Sequence, residues 1–305
     1  MLLVFKSVIR DYDTPSGTTL SRNLTAYLSH QIDYLVTARP LSVSMGNAIR
    51  WLKREISIIN IDTSDTVAKR ELQSLIDTFI KEKIEASGQV IVQSAAQNIN
   101  DGDVLLTFAR SEVVKQTFVE AHSQGKQFRV IVVDSRPLHE GKKLVSELAS
   151  EGIKCTYILI NALSYVMSDV TTVFLGAHAM FANGLLYSRV GSALVATSAK
   201  SRNIPVLVLC ESIKFSDRVQ FDAVTLNELS SPDALLNISI NSNSRNDTLS
   251  PALRDWRDVA NLNILNVLYD LTPAEAIKKI VSEVGNLPPS SVPVILREYK
   301  SDYNA

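Results

Sequence analysis

The chain has 305 residues, of which 46% are hydrophobic and 21% are charged, a composition that supports a folded core and argues against global disorder. Lys and Arg number 31 against 32 Asp and Glu, so the net charge of −1 gives no basic footprint of the kind that nucleic-acid-binding proteins carry. The apolar runs are too short for a membrane span, and Cys155 and Cys210 lie in apolar runs typical of buried, reduced thiols, so we expect a cytosolic protein.

The first 100 residues are predicted to form a helical domain. Within residues 65–99, apolar residues recur at the spacing of an amphipathic helix, namely Leu72, Leu75, Ile76, Phe79, Ile80 and Ile84. The segments "SRNLTAYLSHQIDYLV" and "SVSMGNAIRWLKREI" also fit helices, and Pro40 separates them.

The pattern changes after residue 101, where short apolar runs alternate with amphipathic segments. The runs are nearly continuous in Val, Ile and Leu, which is typical of parallel strands covered on both faces. They are "DVLLTFA", "FRVIVVD", "KCTYILI", "TTVFLG", "PVLVLCE" and "DAVTL". The segments between them fit crossover helices, so residues 101–305 are predicted to be a doubly wound, mostly parallel Rossmann-like α/β domain with a C-terminal helix and tail.

Three features are predicted for the C-terminal part. Residues 239–250 are polar and indicate a surface loop. The run "TPAE" indicates a helix that starts with Thr272 as N-cap and ends at Gly285. Prolines on both sides of the apolar run in "LPPSSVPVIL" favour an edge strand or a docking tail.

Several kinds of chemistry have no motif in this sequence. It contains neither G-x-G-x-x-G nor a Walker motif, so binding of a nucleotide cofactor is not expected. The histidines are scattered and no C-x-x-C occurs, so we expect no metal site, and a G-x-S-x-G hydrolase motif is also absent. No cofactor is predicted.

The remaining candidate is a sugar-phosphate site at the carboxyl ends of the strands, where open α/β sheets bind ligands. Four polar residues would converge there: Asp134, Arg136, Asn183 and Arg189. Three glycines would let backbone N–H groups approach an anion: Gly176, Gly184 and Gly191. The same pattern also fits a loop that is rich in glycine for architectural reasons alone, and the residues leave both interpretations open.

Several longer motifs carry a family resemblance. They are "LLTFARS", "VVDSRPLHEGKKL", "LGAHAMFANGLLYSRVGS", "ESIKFSDRVQFDA" and "NLNILNVLYDLTPAE". Over nearly the whole chain they resemble the regulatory subunits of eukaryotic translation initiation factor 2B and the related methylthioribose-1-phosphate and ribose-1,5-bisphosphate isomerases. Within this family the delta branch is the most similar.

The resemblance implies that the isomerase chemistry is lost. In the isomerases a cysteine stands in a T-x-C pattern and an aspartate in a G-A-D pattern, and here Ala109 and His178 occupy those positions. Because alanine cannot transfer protons, we expect a vestigial pocket without catalytic residues. Its members would be Ala109, Asp134, Arg136, Gly176, His178, Asn183, Gly184 and Arg189.

The family further implies a non-catalytic regulatory subunit in a decameric guanine nucleotide exchange complex. The complex contains two copies each of alpha, beta, gamma, delta and epsilon subunits, and its exchange domain lies in epsilon. This chain would pair with beta through a C-terminal dimerisation segment. Its helical domain would bind the alpha subunit of initiation factor 2 and sense phosphorylation of that partner.

Two residue sets follow from this implied role. For the beta interface we expect apolar residues that need cover: Val224, Leu265, Val267 and Leu268. For the partner surface we expect charged residues on helical faces: Arg22, Lys81, Glu82 and Lys83. Two alternatives remain, namely an active aldose–ketose phosphate isomerase that uses His178, and a module that senses a sugar phosphate.

Overall fold

The computed structural model describes residues 1–60, 62–236 and 255–302, so the predicted loop at 239–250 lies outside the described residues. The predicted fold class is confirmed, because helices precede a mostly parallel sheet. The helices are α1 Leu2–Asp11, α2 Leu20–Ala38, α3 Val43–Ser57, α4 Asp65–Ile80, α5 Ser87–Ala96, α6 Glu112–Ser123, α7 Glu140–Ser150, α8 Leu163–Val166, α9 Ser192–Ser201, α10 Pro232–Leu236 and a C-terminal helix Val292–Asp302. The strands are β1 Val104–Phe108, β2 Arg129–Asp134, β3 Lys154–Leu159, β4 Thr172–Gly176, β5 Ala179–Phe181, β6 Leu186–Arg189, β7 Val206–Leu209, β8 Phe215–Ser216, β9 Tyr269–Thr272, β10 Lys279–Ser282 and β11 Gly285–Leu287.

Helices α1 to α4 form their own apolar core because each carries one apolar stripe. In α2 the stripe contains Leu24, Leu28 and Ile32 at four-residue spacing, and in α4 it contains Leu72 and Ile76. These side chains meet in one buried cluster. The described residues contain no helix with the length and apolarity that a bilayer crossing needs.

A π-helical segment, Lys81–Ala86, joins α4 to α5. The sequence pattern predicts a continuous α-helix here, and Leu75 and Ile84 of the predicted apolar stripe are exposed. The wider π turns shift the helical register, which moves Ile84 off the buried face. The segment also places Lys81 and Glu82 on the surface and leaves Lys83 half-buried.

Helix α5 packs against the sheet and not against the other helices of the N-terminal part. Its Ile91 and Ala95 are fully buried in the cluster that contains Leu105 of β1 and Val130 of β2. The core of the α/β part therefore includes residues on the N-terminal side of residue 100, the boundary predicted between the two domains.

The larger sheet has seven strands in the order β11-β10-β7-β4-β1-β2-β3. All neighbours are parallel except β10 and β11. The chain runs outward from β1 through β2 to β3 and then returns to β4 on the other side of β1. This return creates a topological switch point between β1 and β4, where the loops after the two strands diverge.

Apolar side chains cover both faces of this sheet. On one face, α5, α6 and α7 bury a cluster in which Phe118 meets Phe174 edge-on with ring centroids 5.5 Å apart. On the other face, α8, α9 and the C-terminal helix pack over residues such as Leu106 and Val208. Burial on both faces explains why the strands are continuous apolar runs in the sequence.

A smaller sheet of four strands, in the order β8-β5-β6-β9, contains the middle of the glycine-rich stretch at 174–192. That stretch is predicted as a loop, but its apolar residues form the hairpin β5–β6 with the turn at residues 182–185. Phe181, Tyr187 and Tyr269 from this sheet form a small core of their own. Pairing with β9, far along the chain, converts the expected loop into a sheet.

The predicted strand "DAVTL" at 222–226 is wrong, since these residues form a turn. The carboxylate of Asp222 accepts hydrogen bonds from the backbone N–H groups of Val224 and Thr225, both at 2.8 Å. An Asp that binds the backbone two residues ahead favours a turn over an extended strand.

The C-terminal elements also differ from the prediction. Thr272 ends β9 opposite Leu186 and does not cap a helix, and β10 inserts its buried Ile280 between β7 and β11. A continuous helix up to Gly285 is therefore wrong, because long-range strand pairing overrides the local capping pattern. The segment predicted as an edge strand or docking tail forms a short 3-10 helix, Pro289–Ser291, which leads into the C-terminal helix. Proline suits the start of a helix because its missing N–H would have no helical partner there.

One amide connects the helices to the α/β part. The Nδ2 of Asn47 in α3 donates to the carbonyl oxygens of Ile213 and Phe215 at 2.6 and 2.9 Å. Ile213 also packs against the core of the helical part. This contact fixes α3 relative to the segment that follows β7.

We expect Gly191→Ala to destabilise the fold by about 2–4 kcal/mol, because φ is +111° at this residue and a Cβ would lie 2.6 Å from Cζ of Phe108. The matched control is Gly88→Ala in α5, where nothing lies within 4 Å of the added methyl group and where alanine should stabilise the helix by up to about 1 kcal/mol. Urea unfolding followed by circular dichroism measures both changes. Equal midpoints for Gly191→Ala and the unchanged chain would contradict this account.

Candidate functional site at the switch point

A cavity of about 260 Å³ lies at the carboxyl ends of β1 and β4. We call it the strand-end cavity. Separate parts of the chain form its walls: residues 108–112 at the end of β1 and beyond it, residues 175–178 at the end of β4 and beyond it, and residues of β6, α9 and β9. This is the position at which open α/β sheets bind their ligands.

Ala109 lines this cavity directly after β1. Its backbone is left-handed, with φ +55°, and its N–H donates to the carbonyl oxygen of Val133 at 2.8 Å. A non-glycine residue in this conformation is uncommon and is held by its surroundings. The methyl group at this position offers no group that transfers a proton.

His178 lies after β4 beside two tyrosine rings that also contact each other. Its ring centroid is 4.4 Å from that of Tyr269 and 5.6 Å from that of Tyr187. Burial, together with the positive charges of Lys214, Arg189 and Arg39, lowers the pKa of His178 from 6.5 to about 4. The imidazole is therefore neutral near pH 7 and a weak proton acceptor.

Asp134 is buried at the end of β2, and its carboxylate is occupied by its own chain. Its Oδ1 accepts from the backbone N–H of Ser135 at 2.9 Å, and its Oδ2 accepts from the N–H of Lys142 and from Oη of Tyr157 at 3.2 and 3.0 Å. The hydroxyl of Tyr157 has its pKa raised to about 12 by burial and by this carboxylate. The arrangement fixes the loop that carries Arg136.

Arg189 at the end of β6 is also paired within the chain. Its Nε and Nη2 donate to the two carboxylate oxygens of Glu140 at 2.9 and 2.8 Å, and its guanidinium lies 5.3 Å from the ring centre of Tyr269. Arg189 borders the strand-end cavity and also a small cleft beside it. Ala109 lines this cleft as well, together with Asp134 and Arg136.

The glycines of the stretch are required by packing. A Cβ on Gly176 would lie 2.5 Å from Cβ of Ser111, and one on Gly184 would lie 3.1 Å from the carbonyl oxygen of Pro289. The N–H of Gly191 donates to Oδ2 of Asp270 at 2.6 Å. At each of these three glycines, another part of the chain thus occupies the space that the sequence pattern suggests for an anion.

Asn183 and Gly184 do not converge with the other predicted pocket residues. They lie in the β5–β6 turn, at the end of the hairpin opposite Arg189, and neither lines the strand-end cavity or the small cleft. Asn183 instead donates through Nδ2 to the carbonyl oxygen of Gln220 at 2.8 Å. The strand β6 therefore separates Asn183 and Gly184 from Arg189, although these residues are close in sequence.

Other residues of the cavity are not predicted from the sequence. Lys214 enters from the segment after β7 and pairs with Glu211 at 2.6 Å, and Arg39 enters from the α2–α3 connection. Tyr269 belongs to β9. Lys214 and Tyr269 do lie in two of the motifs that carry the resemblance, "ESIKF" and "NVLYD", and this is the one sequence signal that could have identified them.

The four predicted interface residues divide into two pairs. Val224 and Leu265 are 87% and 67% exposed. Val267 pairs with Leu229 in an isolated bridge, and Leu268 packs against the core of the smaller sheet. The second pair therefore has a structural role within the chain.

The predicted partner-binding residues lie in two places. Lys81, Glu82 and Lys83 belong to the π-helical segment. Arg22 lies near the start of α2, beside Asn23. Asn23 contacts the hydroxyl of Tyr12, and Lys69 of α4 donates to the carbonyl oxygen of the same tyrosine, so this end of α2 lies near Lys69. Lys69 lies near one end of α4 and Lys81 follows the other, about 18 Å away along the helix axis, so Arg22 and the lysines do not form one cluster.

Neither cysteine is paired. Cys210 is buried, as predicted, whereas Cys155 on the edge strand β3 is half-buried, and burial raises the pKa of both thiols. Within residues 1–60, 62–236 and 255–302, no group of three or more His, Cys, Asp or Glu side chains has the arrangement of a metal site.

The lowered pKa of His178 predicts a pH-dependent loss of stability. Between pH 6.5 and about 4 the unfolded chain binds a proton at this residue while the folded chain does not, so the stability contributed by neutral His178 is present above pH 6.5 and is lost as the pH falls through 4. We expect His178→Gln to show a smaller decrease in the free energy of unfolding over this window, measured by urea unfolding.

The control for this measurement is His30→Gln, since His30 lies on α2, away from the cavity. Asp270 changes stability in an overlapping pH window, because burial raises its pKa to about 6. Its effect is opposite to that of His178, since the stability from its neutral form is lost as the pH rises through that value. The difference between each variant and the unchanged chain therefore isolates the histidine. Identical pH profiles for His178→Gln and the unchanged chain would refute a neutral buried imidazole.

Comparisons with known proteins agree with this architecture. The chain is 48% identical over 303 residues to translation initiation factor eIF2B subunit delta of Schizosaccharomyces pombe, and 41% identical over 303 residues to the protein of that name from Dictyostelium discoideum. Each comparison covers 99% of this chain, which spans 64% and 48% of the length of these two relatives. A ribose 1,5-bisphosphate isomerase of Pyrococcus furiosus is 31% identical, with 93% of this chain and 83% of the isomerase covered.

Two solved structures are also similar. The tetrameric eIF2B-beta2-delta2 complex from Chaetomium thermophilum contains a chain that matches with a TM-score of 0.80 and 35% identity, covering 92% of this chain and 83% of that one. The eIF2B delta structure from the same organism matches with a TM-score of 0.73 and 33% identity, covering 92% and 88%. The predicted resemblance to the delta branch is confirmed. The model of the Initiation factor 2 subunit family matches residues 1–289, and the chain belongs to this family.

Proposed function

We propose that this chain is a non-catalytic regulatory subunit of the eIF2B guanine nucleotide exchange complex. In this role it pairs with a beta subunit, joins the alpha, gamma and epsilon subunits in a decamer, and leaves nucleotide exchange to epsilon. It works in the cytosol and contacts neither nucleic acid nor membrane directly.

The observation that carries the proposal is an exposed apolar strip on a chain that folds like eIF2B delta and like a chain of a beta2-delta2 complex. The strip contains Val219, Phe221, Val224, Leu226, Leu229 and Leu265, each more than half exposed. Hydrogen bonds hold its two segments together, since Ser230 donates to Asn266 and Leu268 donates to Glu228. Exposed apolar side chains concentrated on two paired segments are typical of a protein interface.

The state of the strand-end cavity supports a role without catalysis. Ala109 carries no titratable group, and His178 is neutral and packs against two tyrosine rings. The carboxylate of Asp134 and the guanidinium of Arg189 are bound to groups of the same chain. Aldose–ketose isomerisation requires positioned groups that remove and return a proton, and these residues do not supply such a pair.

The helical part supplies the surface for the alpha subunit of initiation factor 2. Lys81 and Glu82 lie on the surface of the π-helical segment beside the half-buried Lys83, and Arg22 is exposed at a separate place on α2. π segments are rare and occur frequently at functional sites, which supports this assignment. Two docking modes of the partner, with and without its phosphate, would then shift the conformation of the whole assembly.

We expect Val224→Asp to weaken pairing with the beta subunit by at least about tenfold, because a carboxylate would be buried in an apolar contact. The measurement is the amount of beta that co-purifies with the tagged chain, followed by the mass of the complex. Tyr165→Asp is the matched control, since Tyr165 is equally exposed at 87% but lies after β3, outside the strip. Undiminished recovery of beta with Val224→Asp, or a chain that stays monomeric beside beta, would refute the proposal.

A second candidate function is a sugar-phosphate sensor. The strand-end cavity has room for a small ligand, and Arg39, Lys214 and Ser192 line it. A sugar phosphate that binds only the folded chain must raise its melting temperature. Under the main proposal we expect no shift with ribose 1,5-bisphosphate and no turnover of it at high protein concentration; a saturable shift favours the sensor, and turnover lost in His178→Ala favours the isomerase.

A further inference from the structure

A second cavity, of about 280 Å³, lies where the helices meet the α/β part. We call it the junction cavity. Its walls come from α3, the end of α4, the π-helical segment, the residues after β7 and the C-terminal helix. It shares no lining residue with the strand-end cavity.

The interior of the junction cavity is apolar and aromatic. Trp51 stacks on Phe79 with ring centroids 4.0 Å apart and an angle of 24° between the planes. Ile213, Phe215 and Leu296 complete the apolar lining. Small-molecule sites are typically concave and apolar with a few polar groups, and a volume near 300 Å³ is at the lower end of their range.

The charged groups of the cavity favour an anion. Arg50 is exposed, and its guanidinium donates to the neutral side-chain oxygen of Asn47. Arg54 and Lys83 also line the cavity, whereas the lining contains a single carboxylate, that of Asp217. These three residues make further interactions, so we assign recognition of the anion to Arg50. A guanidinium suits this task because it presents several donors in a fixed plane.

The π-helical segment forms part of the wall through Lys83. Single π turns inside helices occur frequently at functional sites. Here the wider turns change the direction of the side chains just where the helix meets the cavity, and Lys83 faces it while Lys81 and Glu82 remain on the surface.

We propose that the junction cavity binds a planar aromatic anion of bicyclic size, with the ring among the apolar side chains and the charge at Arg50. The ligand would contact residues of the helices and of the α/β part at once and would hold the two in one arrangement. This proposal is independent of pairing with beta and of the strand-end cavity.

Trp51 makes the proposal testable by fluorescence. The chain has two tryptophans, Trp51 and Trp256, so Trp256→Phe leaves a single reporter in the cavity wall. The probe is adenosine monophosphate, which joins a bicyclic ring to a phosphate. There are three matched controls. Adenosine lacks the phosphate charge, ribose 5-phosphate lacks the aromatic ring, and inorganic phosphate lacks the whole organic part.

In the full chain carrying Trp256→Phe, we expect adenosine monophosphate to change the emission of Trp51 saturably. Arg50→Glu should weaken this binding at least about tenfold, and Arg50→Gln should weaken it less. Arg202→Glu, at an exposed arginine after α9, should leave it unchanged. Leu296→Phe narrows the cavity and serves as a second variant if the Arg50 variants do not fold, as judged by circular dichroism.

Three results would overturn the proposal. The first is an emission that does not saturate up to about 10 mM adenosine monophosphate. The second is equal binding by Arg50→Glu and Arg202→Glu, or by Leu296→Phe and the parent chain. The third is binding of adenosine or of ribose 5-phosphate as tight as that of adenosine monophosphate, which would remove the requirement for a charge or for an aromatic ring. Binding of ribose 5-phosphate without a response of Trp51 would place that ligand in the strand-end cavity.

Discussion

Burial of the central parallel strands on both faces is the constraint on which the rest of this structure depends. Every residue of β1 and β7 is buried, and β2 is exposed at a single end. Nearly all side chains within these strands are apolar because they pack against helices on either side, so most polar side chains of the sheet lie at the strand ends. The switch point between β1 and β4 then determines which ends meet, and the strand-end cavity lies there.

The polar groups at these strand ends form hydrogen bonds and ion pairs within the chain. Asp134 binds the loop that follows it, Arg189 binds Glu140, and Asp270 accepts from the backbone N–H groups of Gly191 and Ala193 at the start of α9. A carboxylate at the positive end of a helix is favourable, and it replaces the anion that such a helix start otherwise attracts. A cavity is present at these strand ends, while Asp134, Arg189 and Oδ2 of Asp270 are bound to other groups of the same chain.

The parts that can be predicted from the sequence are those that local patterns determine. The run at 104–108 and the helix at 192–201 follow from continuous apolar residues and from helical spacing. Thr272 and Pro273 suggest a helix start because that pattern is local, whereas the pairing of Thr272 with Leu186 joins positions far apart in the chain. For the same reason Arg39 and Lys214 are missed at the cavity, and Asn183 is expected in it although the hairpin carries it away.

The amide of Asn47 has a mechanical consequence. The two carbonyl oxygens to which it donates belong to Ile213 and Phe215, and Lys214 lies between them and lines the strand-end cavity. Any tilt of α3 must stretch these hydrogen bonds or drag the peptide units on both sides of Lys214. A displacement of α3 is therefore transmitted through the Asn47 side chain to Lys214 in the wall of the strand-end cavity.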